Sequence, residues 1–444
     1  MTHLEDLFAF LRFPSVSADS QFKQHVEGCA EWVRQRLQKA GLESRLVPTA
    51  GNPVVLGHSP RRPNRKTVLI YGHYDVQPAD PLNLWETSDP FEPVLQDGRV
   101  IARGATDNKG QILAHILGVE QALARTGDLP VNVIFLIEGE EETGSPHLEA
   151  FLQEHAAELA ADVAAVSDTG MVALKTPTFT YGLRGIVCLE VRITGPAVDL
   201  HSGIFGGSVE NPATVLGRLV GGLHDQDGRV AIPGFYDRVQ SMHEWERKLW
   251  SMLPFTDKKW LETTGSPALS GETGFSTLER VWARPTAEVD GLNSGYQGEG
   301  PKTIVPSKAI AKLSFRLVPD QTPDEIRDKV VSYLESRCPK TVKLEIIHQH
   351  SGKPYLVNPD SGYGQAATQA LERTFNRKTM FIREGGSIPI TQSFKDVLHL
   401  DTLLLGLALP DAKVHSPNEN FPVENFETGI RLNQNLLEAL AATT

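Results

Sequence analysis

The chain has 444 residues, of which 40% are hydrophobic and 22% are charged, a composition typical of a soluble folded protein. This length exceeds what one hydrophobic core usually serves, so we expect at least two domains. The net charge of −12, without a dense basic run, argues against nucleic-acid binding, and no apolar segment approaches membrane-spanning length.

The first part of the chain alternates between helical and strand-like segments. Residues 20–40 carry apolar side chains at helical spacing, which predicts a surface helix that stops at Gly41. Strand-like runs follow at 67–71, 131–137 and 163–167, separated by helical stretches near 109–125 and 146–158. The alternation predicts an α/β fold with a central sheet flanked by helices. Polar residues follow the strands at 72–75, 138–145 and 168–170, and we expect them along one rim of the sheet.

From about residue 183 the pattern changes to longer alternating strands, at 187–193 and 313–317. Two helices are predicted here, one opening at Asn211-Pro212 and the other at a capping box from Thr322 to Glu325. Residues 234–300 show no clear period and are interpreted as an irregular excursion. These features predict a separate α+β domain.

The α/β pattern returns after about residue 354, with strand-like runs at 379–383 and 402–408 and an amphipathic helix near 424–441. We therefore predict that the first domain has two parts, 1–182 and 354–444, interrupted by the second domain at 183–353.

Metal-ligand residue types collect just beyond these apolar strands. They are His73, Asp75, Asp107, Glu141, Glu142, Asp168 and His415. Imidazole and carboxylate groups bind borderline cations such as zinc, and a carboxylate can bridge two ions. The like charges at 138–145 favour a nearby cation, although a solvated acidic loop is the alternative. The His73-Asp75 spacing alone is weak, since a turn acid is by far the more common explanation of a lone HxD sequence.

Five motifs then make a resemblance specific: YGHYDVQPAD at 71–80, GATDNKG at 104–110, EGEEETGS at 138–145, SDTG at 167–170 and DLHSG at 199–203. In this order they resemble the two-metal metallopeptidase family that contains carnosinase and cytosolic nonspecific dipeptidase, with aminoacylase, succinyl-diaminopimelate desuccinylase and glutamate carboxypeptidase as wider relatives. The segments 300–320, 383–390 and 415–420 continue the likeness across nearly the whole chain.

The resemblance implies a ligand set. One ion would be held by His73, Asp107 and Asp168, and the other by Asp107, Glu142 and His415. Asp107 would bridge the two, Glu141 would be the general base and acid, and Asp75 would support His73. The peptide between Asp107 and Asn108 is expected to be cis. Glu140 precedes the matched glutamate pair and is an extra carboxylate at this point.

The resemblance also implies an aminopeptidase-like catalytic domain with a central mixed sheet, in two parts at 1–182 and 354–444, and an inserted α+β lid and dimerisation domain at 183–353. It implies a functional homodimer as well. His201 is expected to reach the active site of the partner subunit and stabilise the oxyanion. Arg316 would bind the terminal carboxylate of a peptide through two hydrogen bonds, and Thr303 would be a further substrate-side position. Gly385, Gly386 and Ser387 would form a backbone cradle for the C-terminal end of the peptide.

The sequence thus predicts a hydrolase that cleaves the amide bond of dipeptides or short peptides with a free C-terminal carboxylate, by metal-activated water. The two ions would be zinc or manganese, with cobalt as an alternative. An N-acyl-amino-acid deacylase or a carboxypeptidase would use the same residues, and a non-catalytic peptide-binding protein is the remote alternative.

The remaining histidines and cysteines lie outside the matched motifs. His348 and His350 are expected to be ordinary strand residues, and Cys188 a core residue. Cys29, Cys188 and Cys338 are too few and too widely spaced for a disulfide framework. Together with an N-terminus that lacks a basic leader, they predict a cytoplasmic protein.

Overall fold

The computed structural model describes residues 2–443. The strands are β1 (Glu43–Val47), β2 (Val54–His58), β3 (Thr67–His73), β4 (Val94–Gln96), β5 (Arg99–Ile101), β6 (Asn132–Glu138), β7 (Val163–Val166), β8 (Thr178–Leu183), β9 (Gly185–Thr194), β10 (Leu200–His201), β11 (Thr286–Ser294), β12 (Ile304–Val305), β13 (Lys308–Leu317), β14 (Lys343–Gly352), β15 (Tyr355–Leu356), β16 (Met380–Glu384), β17 (Thr402–Leu404) and β18 (Asn420–Pro422).

The helices are α1 (His3–Leu11), α2 (Lys23–Lys39), α3 (Lys109–Thr126), α4 (Leu148–Glu154), α5 (Ser202–Phe205), α6 (Pro212–Gly221), α7 (Glu244–Trp250), α8 (Asp257–Thr264), α9 (Thr277–Trp282), α10 (Pro323–Arg337), α11 (Gly362–Phe375), α12 (Pro389–Val397) and α13 (Val423–Ala441).

The chain divides into two compact units, each with its own helices and strands. Unit 1 contains residues 1–181, 357–382 and 390–444, and unit 2 contains residues 182–356 and 383–389. The segments 354–356 and 383–389 therefore group with unit 2, whereas the division made from the sequence placed them in the second part of the catalytic domain. Hydrogen bonds from Arg184 and Arg316 to residues 385–387 account for the second of these assignments.

A mixed sheet forms the centre of unit 1, with the strand order β1-β2-β6-β3-β7-β17-β8. The four middle strands, from β6 to β17, run parallel to one another. Every residue of β3 and β6 is buried, as expected for strands that are covered on both faces. Helix α2 packs against β1 and β2, while α13 packs against α3 and α11. The prediction of an α/β fold with a mixed sheet flanked by helices is confirmed.

Unit 2 is built on a four-stranded antiparallel sheet with the order β11-β13-β9-β14. Alternate residues of β9 and β13 are buried, and α6 and α10 cover that face of the sheet. The core between them is made of apolar side chains such as Val191, Leu219, Leu313 and Phe315. A separate two-stranded sheet, β10 with β12, brings His201 opposite Ile304.

Several predicted elements differ in extent from the observed ones. The run at 402–408 forms a strand only over Thr402–Leu404, and the helix predicted near 146–158 covers Leu148–Glu154. Residues 234–300 are not wholly irregular, because they contain α7, α8, α9 and β11. These helices have 7, 8 and 6 residues, too few to show a helical period in the sequence.

Helix α10 begins at Pro323 as predicted, but its capping box does not form. Glu325 pairs instead with Lys329, at 2.8 Å, and with Arg238, at 2.7 Å. The Asn211 cap of α6 is present, since its side chain accepts a hydrogen bond from the N–H of Ala213. No helix among residues 2–443 combines the length and the hydrophobicity needed to cross a membrane.

Candidate metal centre

Three loops that follow the parallel strands of unit 1 supply most of the predicted site residues. His73 ends β3, Glu141 and Glu142 lie in a short 3-10 helix after β6, and Asp168 follows β7. The carboxyl ends of parallel strands meet at one edge of a sheet, so the chain places these side chains on one rim. Asp107 precedes α3, and the peptide between Asp107 and Asn108 is cis, as the resemblance predicts.

Asp107 lies between two imidazoles. Its Oδ1 is 3.1 Å from Nε2 of His73, and its Oδ2 is 2.9 Å from Nε2 of His415. The two carboxylate oxygens therefore face different histidines from segments far apart in the sequence. This is the geometry that a bridging carboxylate between two cations requires.

Further carboxylates converge on the same two histidines. Glu142 places Oε2 3.2 Å from Nε2 of His415. Asp168 Oδ2 and Glu141 Oε2 lie 3.8 Å and 4.0 Å from Nε2 of His73. The structure thus brings together all five predicted ligands and the predicted base within unit 1.

The electrostatics of the cluster reflect the crowding of like charges. Burial raises the pKa of Glu141 well above its ordinary value, and Asp168 and Asp107 add to the rise. Burial and the charge of Asp107 likewise raise the pKa of Asp168 to about 6. Burial also opposes ionisation of Asp107, but the nearby imidazoles of His415 and His73 outweigh it and hold the pKa of Asp107 well below its usual range.

The surrounding carboxylates raise the pKa values of both imidazoles. Hydrogen bonds with Asp107 and Glu142 raise the pKa of His415 to about 10. Burial lowers the pKa of His73, yet the surrounding carboxylates more than reverse this and leave it well above its ordinary value. Protons on the two rings therefore offset part of the negative charge, a task that bound cations would take over.

The residues fit a divalent cation. His73 is fully buried, and its Nε2 has no hydrogen-bond partner although carboxylates surround it. One potential ligand atom from each of His73, Asp107 and Glu142 lies within 4.8 Å of the others. A mixed imidazole and carboxylate set suits zinc and manganese alike.

A second layer of side chains orients these groups. Asp75 faces Nδ1 of His73, with Oδ1 at 3.3 Å, and accepts a hydrogen bond from the N–H of Glu142 at 3.1 Å. Ser17 donates its hydroxyl proton to the same carboxylate at 2.6 Å. Asp75 thus contacts both the His73 side chain and the loop that carries Glu142.

The sequence analysis missed two other supports. Gln77 donates to Oε2 of Glu142 at 2.8 Å, and Asn108 donates to Oδ1 of Asp168 at 2.8 Å. Both lie inside motifs that were matched, YGHYDVQPAD and GATDNKG, so their membership of these motifs was the available signal. Outer residues of this kind fix ligand orientation and tune metal affinity.

The extra carboxylate of Glu140 does not join the cluster. Its Oε2 lies 2.8 Å from Nδ1 of His147. The short 3-10 helix Glu141–Thr143 begins directly after it and turns the next two side chains toward the histidines. The register that assigns the last two glutamates to the site agrees with this geometry.

In unit 2, His201 ends β10 and Thr303 directly precedes β12, the strand that pairs with it. The N–H of Ser202 donates to the carbonyl of Thr303 at 3.0 Å, and Nδ1 of His201 accepts from the N–H of Gly203 at 3.0 Å. Both His201 and Thr303 are exposed. Nε2 of His201 is thus directed away from its own backbone contact.

The other predicted substrate residues form a second group in unit 2. Arg316 donates from Nη1 to Oγ of Ser387 at 3.1 Å, and Ser387 donates to the carbonyl of Arg184 at 2.6 Å. Arg184 in turn donates from Nε to the carbonyl of Gly385 at 3.1 Å. Gly386 faces open space. Arg184 is a further residue that the sequence analysis did not single out.

The structure agrees with the prediction for His348 and His350, which were expected to be strand residues, but not for Cys188, which was expected in the core. His348 and His350 lie in β14 as expected, but a β-bulge separates them. The expectation that Cys188 belongs to the core is wrong, because its side chain is partly exposed. On β9, Val187 and Leu189 take the buried face, so Cys188 falls on the opposite one.

Comparisons with known proteins agree with this site. The family described as Peptidase family M20/M25/M40 matches residues 69–439. A Cys-Gly metallodipeptidase of Schizosaccharomyces pombe is 34% identical over 97% of this chain and 94% of its own length. The crystal structure of human carnosine dipeptidase 1 superimposes with a TM-score of 0.85 at 30% identity, covering 99% of this chain and 96% of the other.

A third similar protein is an M20 family metallo-carboxypeptidase from Sulfolobus solfataricus. Its structure has a TM-score of 0.89 at 31% identity and covers 99% of both chains. These matches confirm the resemblance found in the motifs, the hydrolytic metallopeptidase function and the use of a divalent metal. The chain belongs to peptidase family M20/M25/M40.

Proposed function

We propose that this chain is a dipeptidase that hydrolyses the amide bond of dipeptides or short peptides with a free C-terminal carboxylate. The observation that carries the proposal is the placement of Asp107 between His73 and His415, with Asp168 and Glu142 beside them. The dipeptidases among the similar proteins support the choice of substrate.

The five side chains would hold two divalent ions, zinc or manganese. His73 and Asp168 would bind one, Glu142 and His415 the other, and Asp107 both. When bound, the ions would polarise the scissile carbonyl and lower the pKa of the attacking water. The two separate oxygens of Asp107, each facing its own histidine, support a count of two.

Glu141 is the proposed proton carrier. Burial and neighbouring carboxylates raise its pKa, so its carboxyl group holds a proton more readily than an exposed glutamate does. It would take a proton from the attacking water and return it to the leaving amine. Asp75 would keep the His73 ring in place through its contacts with the imidazole and with Glu142.

Groups of unit 2 would recognise the substrate. Arg316 would bind the terminal carboxylate, with Gly385, Gly386 and Ser387 as a cradle and Thr303 as a further contact. Arg316 donates from Nη1 to Oγ of Ser387 at 3.1 Å, which places its guanidinium beside the segment proposed as the cradle.

We place the active enzyme in a homodimer, in which His201 of one subunit stabilises the oxyanion in the other. Its exposure supports this role. Two apolar residues of the helix that follows His201 are also exposed. The exposed fraction is 70% for Ile204 and 40% for Phe205, as expected for a surface that another subunit covers. The three unpaired cysteines support a cytoplasmic location.

The similarity to a metallo-carboxypeptidase favours a second candidate, removal of the C-terminal residue from longer peptides. A substrate panel separates the candidates. It would contain Cys-Gly, β-Ala-His, tetrapeptides and N-acetylated amino acids. A dipeptidase turns over the dipeptides fastest, whereas preference for tetrapeptides or for the acetylated compounds would select the carboxypeptidase or the deacylase.

Glu141→Ala tests the chemistry. The variant is expected to lose at least about 100-fold in kcat, the scale of general acid-base catalysis, while the purified protein keeps its metal content. Glu140→Ala is the matched control, because its side chain pairs with His147 outside the site. Hydrolysis by Glu141→Ala at the rate of the control would remove Glu141 from the mechanism, and tight peptide binding without any cleavage by the wild type would indicate a binding protein.

A further inference from the structure

Glu419 is a buried carboxylate that no step above uses. It is 0% exposed, and both of its oxygens are fully engaged. Oε1 accepts hydrogen bonds from the N–H of Thr106 at 2.9 Å and of Asp107 at 3.0 Å. Oε2 accepts from the N–H of Gly104 at 3.0 Å and from Nη1 of Arg103 at 2.7 Å. One side chain thus satisfies four donors of residues 103–107, the Asp107 loop.

These bonds matter because the Asp107 loop has no strand or helix of its own. Buried backbone N–H groups need partners, and here the partner is a side chain rather than a neighbouring strand. One of the bonds reaches the N–H of Asp107 itself, the residue whose carboxylate faces both histidines. Glu419 therefore fixes the backbone from which that carboxylate projects.

Glu419 also belongs to the segment that carries the second histidine. Residues 411–419, which include His415 and end directly before β18, lack regular structure, and Lys413, His415 and Asn418 have positive φ angles of 54°, 58° and 64°. Such a segment needs anchors to hold one conformation. The carbonyl of Glu419 accepts from the N–H of Ala102 at 3.1 Å, so its backbone and its side chain both contact the 102–107 region.

The positive charge of Arg103 offsets the negative charge of the buried Glu419 carboxylate. Arg103 is 1% exposed, donates from Nη2 to the carbonyl of Pro78 at 3.1 Å, and lies over the ring of Trp85. A buried carboxylate with four donors and a paired guanidinium is well satisfied. The arrangement holds the loop firmly without placing a net charge beside the metal centre.

We propose that Glu419 is a positioning residue, which sets the Asp107 carboxylate relative to His415 and so prepares the site for cations. The inference rests on the proposed role of Asp107 and His415 as metal ligands. It differs from a general structural role because it ties together two ligands from distant parts of the chain.

The test is Glu419→Gln, which keeps the size of the side chain but replaces one acceptor oxygen with an amide donor. Calorimetric titration of metal-depleted protein with Zn²⁺ and with Mn²⁺ is expected to show affinity reduced by about ten-fold or more, the usual effect of losing an outer partner of a ligand. The far-ultraviolet circular dichroism of the folded variant should match the wild type.

The matched control is Asp6→Asn. Asp6 accepts from Nε of the buried Arg36 at 3.0 Å, so this variant breaks a comparable buried pair in unit 1 that contacts no metal-centre loop. Its metal affinity should stay within about two-fold of the wild type. Equal losses in both variants, or an affinity of Glu419→Gln within two-fold of the wild type, would overturn the proposal.

Two further measurements cover a variant that does not fold. The double variant Arg103→Met with Glu419→Gln removes both charges together and should show the same loss of metal affinity. Hydrogen exchange on metal-depleted wild type should find the amides of Thr106 and Asp107 protected, and rapid exchange there would contradict the inference. Wild-type protein that binds metal but cleaves no peptide would refute the proposed function while leaving this test intact.

Discussion

At the scale of single residues, Asp107 is the side chain on which the site depends most. Its two oxygens lie 3.1 Å and 2.9 Å from imidazole nitrogens of His73 and His415. Glu142 and Asp168 each approach one of the two histidines. Loss of Asp107 would therefore affect both halves of the centre, whereas loss of either neighbour would affect one.

The raised pKa of His415 leads to a prediction about protons. At pH 7 the ring is protonated in the metal-free protein, since its pKa is about 10. A histidine that binds a metal must be neutral, so metal binding by His415 in its proposed role would release that proton, and affinity should increase with pH until the ring is neutral without metal. Zn²⁺ titrations in buffers of different ionisation enthalpy are expected to show proton release at pH 7.

The same titrations on His415→Ala provide the control, because this variant cannot release a proton from position 415. A wild-type binding heat that is independent of the buffer would contradict the prediction. The raised pKa also has a consequence for the metal-free protein. The stability gained from the His415 contacts is complete below the ordinary histidine pKa of about 6.5 and is lost as the pH rises toward 10.

At the scale of elements, the helices of unit 1 pack closely enough to require glycine. A side chain carbon added at Gly118 of α3 would lie 2.7 Å from Cβ of Asn433 and 3.0 Å from the carbonyl oxygen of Ile430, both on α13. Neither neighbour is a flexible side-chain end. The contact between α3 and α13 therefore has no room for a methyl group at this position.

Gly118→Ala is expected to reduce the free energy of unfolding by about 1–3 kcal/mol, the usual effect of overpacking. Gly217→Ala in α6 should have the opposite effect, because no atom lies within 4 Å of the added carbon. There the gain is about 0.5–1 kcal/mol, from the lower chain entropy of the unfolded state. Thermal unfolding of both variants measures the two signs, and a stabilised Gly118→Ala would be inconsistent with the packing.

The elements also show what could be predicted from sequence. The buried strands β3, β6 and β7 and the long helices α3 and α13 have strong periods or apolar runs, and their positions were predicted to within a few residues. The short helices α7 to α9 depend on local caps and tertiary contacts, as at Ser276 and Glu279, and were not predicted.

The site residues likewise divide into those that could be predicted from the sequence and those that could not. The metal-ligand residue types were visible in the motifs, since the chemistry restricts them to histidine and carboxylates. Gln77, Asn108, Arg184 and Glu419 were not identified, because their roles arise from contacts with residues far apart in the sequence. A buried amide or carboxylate reveals such a role only when its partners are known.

At the scale of the whole molecule, unit 2 is inserted into the sequence of unit 1, and it carries His201 on an exposed surface. If His201 acts on the partner subunit, two inactive variants should complement each other. A heterodimer of Glu141→Ala and His201→Ala subunits contains one site with both Glu141 and His201. Co-expression of the two should restore about a quarter of wild-type activity when subunits pair at random.

Each variant expressed alone should be nearly inactive, and mixing each with itself is the control. Activity that stays at the level of the separate variants, in a preparation shown to contain heterodimers, would mean that His201 acts within its own subunit. The result bears on the assembly and leaves the assignment of the metal centre unchanged.

The measurement that tests the account most directly is anomalous diffraction at the zinc edge from crystals of the zinc-loaded protein. The account predicts two peaks, one on each side of the Asp107 carboxylate and about 3.5–4 Å apart, with His73 and Asp168 at one and Glu142 and His415 at the other. A single peak, or peaks away from Asp107, would contradict the proposed two-ion centre.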